Sequence, residues 1–74
     1  MPAELDVKGL NCPLPVLRVK KRVRDLGAAE TLRIHATDPG APRDVEAFCV
    51  ADGHDFLGAR EEAGVFVIDI RRKA

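Results

Sequence analysis

The chain has 74 residues, and its twelve basic and twelve acidic side chains cancel to a formal charge of zero. No global field therefore draws it to nucleic acid or to a membrane surface. With no Trp or Tyr and only Phe48, Phe56 and Phe66, it also lacks material for a base-stacking platform.

The length predicts one domain over residues 1–74, near the lower limit for a core unaided by disulfide or metal. The opening Met1-Pro2-Ala3-Glu4-Leu5-Asp6 lacks the apolar region of a signal peptide, and no later run approaches a membrane span. Two cysteines, Cys12 and Cys49, are no disulfide framework, so a reducing cytoplasm is the expected compartment.

In chain order, Leu5 and Val7 alternate with Asp6 and Lys8, which predicts a short strand with one buried face ended by Gly9. A helix follows from about Pro13 to Leu26. Pro13 suits its first turn, where a missing N–H costs nothing, and Pro15 still lies within that turn. Cys12 then falls at or next to the N-cap, with Asn11 the other candidate for that cap. Val16, Val19, Val23 and Leu26 form the buried stripe, and Gly27 is expected to cap the C-terminus. Arg18, Lys20, Lys21, Arg22 and Arg24 fill the remaining faces. They read either as a solvated face whose late cations complement the helix dipole or as a docking surface for acidic partners near Cys12.

A cysteine at a helix start meets free amides and the positive end of the macrodipole, so a lowered thiol pKa is expected for Cys12. The alternative is an ordinary small residue at a helix start. An accessible thiolate with no neighbouring base suits a thiol that is handed something by a partner.

Leu32, Ile34 and Ala36 alternate with Arg33, His35 and Thr37 in a second strand, which puts His35 on the face away from the core. His35 is read as a surface histidine and not as a ligand or base. Asp38-Pro39-Gly40 leads into a second helix, from Ala41 or Pro42 to Ala51, with Val45, Phe48 and Cys49 on one face. Cys49 is read as a buried, inert small hydrophobe. Asp52-Gly53-His54-Asp55 is turn chemistry. The segments 55–62 and 65–72 join through Ala63-Gly64 as a hairpin, with Phe66, Ile68 and Ile70 inward. Nothing has metal-ligand spacing, and neither a metal nor a cofactor is expected.

The order β-α-β-α-β-β predicts an α/β (α+β) fold. Right-handed crossovers place both helices on one face of a four-stranded mixed sheet, a two-layer sandwich with Cys12 at the edge of the helix layer.

The stretch from Leu5 to Pro15, which holds Asn11-Cys12-Pro13-Leu14-Pro15, resembles the Cys-Pro-x-Pro signature of the TusA/SirA family of small sulfur carriers. The resemblance continues through Glu30-Thr31-Leu32, Ala36-Thr37-Asp38-Pro39-Gly40, Arg43-Asp44 and Phe48-Cys49, in family order and spacing. It implies the same two-layer fold and a persulfide on Cys12, with Asn11, Pro13 and Pro15 as motif support. The implied donor is a cysteine desulfurase or a rhodanese-like protein, and the implied acceptor is a downstream protein. Relatives feed tRNA thiouridine formation, molybdenum cofactor synthesis or sulfur oxidation. Leu14, Arg18, Lys21 and Arg22 are the candidate docking residues. Many relatives carry an acidic residue where this chain has Leu14, which makes the approach to the thiol less acidic here. A monomer that turns nothing over by itself is expected. Two other classes compete: a Cys–His nucleophilic enzyme, for which no histidine is placed near Cys12, and a small RNA- or protein-binding module without persulfide chemistry.

Overall fold

Alternating strands and proline-started helices leave little choice of topology, and a computed structural model describing residues 3–74 has the expected order. The elements are β1 (Ala3–Val7), α1 (Leu14–Val23), β2 (Thr31–Ala36), α2 (Ala41–Asp52), β3 (Asp55–Glu62) and β4 (Val65–Arg71). The reading of the opening stretch falls partly on Met1 and Pro2, which lie outside the described residues.

The sheet runs β1-β2-β4-β3, with β1 parallel to β2 and the other pairs antiparallel. Register puts Leu5 beside Ile34 and Ile34 beside Ile68, while Leu32 pairs with Ile70. This apolar face lies under both helices, where Val19, Val23 and Leu26 meet Ala41, Val45, Phe48 and Cys49. Burying each large aliphatic side chain contributes about 1.5–3 kcal/mol. The other face is charged: Arg33 donates to Asp69 through Nε at 2.9 Å and Nη2 at 3.3 Å, and His35 Nε2 lies 2.9 Å from Glu4 Oε1. His35 is thus away from the core, as its place in the alternation predicts. Val67 on that face is nevertheless buried, flanked in register by His35 and Arg60, so inward alternation alone did not account for it.

Several boundaries differ from the sequence reading. The first helix stops at Val23, not near Leu26. Two tighter turns follow, in which the amide of Asp25 donates to Arg22 O and that of Leu26 to Val23 O. They keep Leu26 buried although it has left the helix. Gly27 is no cap; its amide donates to Glu30 Oε1 at 2.8 Å. The second helix runs one residue further than expected, to Asp52. There Gly53, at φ 79°, makes the left-handed cap and its amide donates to Cys49 O. The last strand ends at Arg71, one residue early. The hairpin turn is at Ala63-Gly64 as predicted, both residues at positive φ, while the irregular register between Phe56 and Gly58 in β3 had no sequence signal.

The C-terminal residues fasten the layers. Arg72 exchanges backbone hydrogen bonds with Ala29 and Glu30, and its guanidinium donates to Leu26 O. Lys73 Nζ donates to Asp52 O at 2.9 Å. No described helix is long and apolar enough to cross a membrane.

Candidate functional site

The loop from β1 to α1 is shaped by its own backbone. The amide of Gly9 donates to Thr37 Oγ1 at 2.9 Å, and that of Leu10 donates to Val7 O. The N-cap of α1 is Pro13, so neither Cys12 nor Asn11 occupies it, and no side chain caps the helix. Asn11 acts through its backbone instead, its carbonyl accepting from the amide of Leu14 at 2.9 Å. Pro15 is fully buried and belongs to the core as much as to the motif.

Cys12 is therefore exposed, one residue before the cap, while Cys49 is wholly buried in α2. The Cys12 sulfur is directed toward α2: Sγ donates to Asp44 Oδ2 across 3.4 Å. Asp44 sits in the first turn of α2, where its amide donates to Gly40 O at 3.0 Å. A Cβ on Gly40 would lie 3.3 Å from Asp38 Oδ2 and 3.9 Å from Asp44 Oδ2, so glycine leaves room for two carboxylates to converge. Asp38 Oδ2 is a buried oxygen with no hydrogen-bond partner among the described residues.

This arrangement corrects the expected thiolate. The hydrogen bond to Asp44 raises the Cys12 pKa above the ordinary thiol value, and desolvation and the charges of Asp44 and Asp38 act in the same direction. Two nearby carboxylates disfavour the thiolate, the nearer one also by accepting the thiol's hydrogen bond. Burial pushes the Cys49 thiol up to about 11, which fits its reading as inert.

The candidate docking residues do not share one surface with the sulfur. Cys12 and Asp44 border a shallow depression between the helices, together with Val16, Lys20 and Phe48. Arg18, Lys21 and Arg22 line a separate hollow on the β1 side with Leu5 and Asp25. Leu14 is 45% exposed and, with Leu17 at 50%, makes an apolar patch on the solvent side of α1. Sequence reasoning missed Leu17 as a surface residue and placed Lys20 only within the general basic face of the first helix; Lys20 borders the Cys12 depression, its Nζ 5.9 Å from the Phe48 ring centre. It noticed Asp44 only within an Arg-Asp pair. His54 is not near a metal cluster; its Nδ1 accepts from the Lys73 amide and its ring packs on Phe48. Among the described residues, no three His, Cys, Asp or Glu side chains gather as metal ligands.

Comparison with known proteins agrees with the motif. The family model described as "Sulfurtransferase TusA" matches residues 3–72. The chain is 51% identical over 72 residues to the sulfur carrier protein TusA of Pseudomonas entomophila, covering 97% of this chain and 90% of that one. It is 47% identical over 72 residues to the protein of the same name in Pseudomonas aeruginosa, covering 97% and 91%. The crystal structure of a SirA-like protein from Desulfitobacterium hafniense superposes with a TM-score of 0.85 at 22% identity, covering 97% of this chain and 99% of that one, and so shares its fold. With a family model spanning nearly every residue and two relatives near half identity, the chain belongs to the TusA family.

Proposed function

We propose that the chain, read as one carrier domain over residues 1–74, is a sulfur carrier. It accepts sulfane sulfur on Cys12 as a persulfide and relays it to a partner protein. The observation that carries this reading is an exposed Cys12 in the Cys-Pro-Leu-Pro segment of a chain that aligns almost end to end with relatives named sulfur carriers. Cys49, buried and held protonated, is the wrong thiol for exchange.

The chemistry is thiol exchange. Cys12 sulfur bonds to the outer sulfur of a donor persulfide, the donor's S–S bond breaks, and the donor leaves as a thiol. An acceptor thiolate later attacks the outer sulfur on Cys12, and Cys12 leaves in turn. Neither step needs a base or cofactor built into this chain, so turnover belongs to the donor and acceptor. A cysteine desulfurase or a rhodanese-like protein is the donor class. Partners dock over the exposed side of α1, where Leu14 and Leu17 form an apolar patch and Arg18, Lys21 and Arg22 supply positive charge from a hollow separate from the thiol. A thiol kept for exchange requires a reducing compartment, which supports a cytoplasmic place.

Intact-mass spectrometry after incubation with a cysteine desulfurase and cysteine tests the proposal, with a rhodanese and thiosulfate as the second donor. Wild type gains one reductant-labile sulfur atom from at least one donor, and Cys12→Ser gains none. Equal loading of Cys12→Ser, or no loading of wild type from either donor, overturns it.

A further inference from the structure

An exchange thiol works as its thiolate, yet the described geometry surrounds Cys12 with acid. Asp44 comes from the first turn of α2, Asp38 from the loop before it, and Lys20 is the cation that borders the same depression from α1. The Sγ–Oδ2 separation of 3.4 Å suits an S–H donor to a carboxylate, and a thiolate in that place would face Asp44 as a like charge. Asp44 stands in the first turn of α2, where its amide donates a hydrogen bond to Gly40 O, so its carboxylate is presented from an element separate from the loop that carries Cys12.

Resting on the carrier reading, we propose that Asp44 is a positioning residue for Cys12: it accepts a hydrogen bond from the empty thiol, turns the sulfur into the depression between the helices, and keeps it in the unreactive S–H form until a partner engages it. Loading then consumes no oxidant. The S–H hydrogen of Cys12 passes to the departing donor sulfur, directly or through solvent, as the new S–S bond forms and the donor's breaks. A carrier built this way is shielded from stray oxidants and electrophiles, because these react with thiolates. Asp38 adds negative charge without a bond to the sulfur, and its removal has the smaller effect.

The test follows alkylation of Cys12 by iodoacetamide across pH in a Cys49→Ser background, where Cys12 is the only thiol. Asp44→Asn moves the rate profile to lower pH, by about tenfold in rate at neutral pH for each unit of midpoint shift. Above both midpoints the rates converge, and Asp44→Glu moves the profile back toward wild type. A structural role alone would leave the profile in place. Superimposable profiles for wild type and Asp44→Asn overturn the proposal. If Asp44→Asn does not fold, thiolate absorbance of the unsubstituted Asp44 protein decides, since a midpoint at or below that of the same thiol in denaturant also overturns it. None of these measurements uses sulfur transfer. Failure to load sulfur with a shifted profile would remove the carrier reading alone, and normal loading with an unshifted profile would remove Asp44 alone.

Discussion

Cys12 and Cys49 are both held as thiols, for opposite reasons. At Cys49 the cause is burial: α2 presents it to the core beside Val45 and Phe48, and ionisation would leave a charge without water. At Cys12 the cause is a neighbour: the sulfur is exposed, and a carboxylate accepts a hydrogen bond from its S–H. A barrier made of burial is lifted only by opening the fold. One made by a single carboxylate is lifted by any group that moves or neutralises it. The second kind is compatible with rapid, partner-controlled chemistry, and the first is not.

The largest effect that could break this contrast is kinetic. In the folded protein at alkaline pH, Cys12 should react with a small disulfide reagent and Cys49 should not. The rates should differ by about a thousandfold or more, because Cys49 requires an opening that costs on the order of the global stability, roughly 5 kcal/mol for a small domain. Counting fast and slow thiols with and without denaturant measures this, and two fast thiols in the native protein would end the comparison.

Next in size is stability. Cys49→Ser places a hydroxyl in the core and should cost about 1–3 kcal/mol by urea unfolding, whereas Cys12→Ser should fall within about 0.5 kcal/mol of wild type. The gap between wild type and Cys49→Ser should also depend on pH. The folded-state pKa of Cys49 is raised, so its contribution is complete below the unfolded thiol value of about 8.5 and is lost as pH rises toward about 11. Serine does not titrate there, so the gap narrows across that window; a gap constant from pH 8 to 11 would contradict the assignment.

The smallest effect belongs to the apolar patch. Leu14→Glu should leave urea stability within about 0.5 kcal/mol, since Leu14 is already 45% exposed. It should still change the rate at which a partner loads Cys12. Unchanged loading rates from both donor classes would detach Leu14 from docking.

Much of this was legible beforehand because it depends on local pattern. Alternation at Leu32, Ile34 and Ala36 sets the second strand, and Val45, Phe48 and Cys49 share one helical face whatever they pack against. Pro13 and Pro15 mark where α1 begins, though not that Pro15 joins the core or that Pro13 itself is the cap. The end of α1 was misjudged at Gly27 because a glycine after an apolar stripe resembles a cap, while the observed turns satisfy the chain sooner. The electrostatics of Cys12 were misread for a different reason. Asp44 lies 32 residues away and reaches the sulfur only when α2 packs beside α1, so an argument restricted to one helix omits the carboxylate that raises the thiol's pKa.

The sheet order has a further consequence for biosynthesis. The last strand of this sheet in chain order, β4, lies between β2 and β3, pairing with both. A nascent chain lacking β4 leaves β2 with an unpaired edge and β3 with no partner in the sheet, and the residues that tie down the ends of both helices are missing as well. The sheet of this domain therefore cannot close until β4 has left the ribosome. Cys12 and Asp44 meet only where the two helices lie side by side on that sheet, so the thiol acquires its carboxylate restraint only in the folded domain.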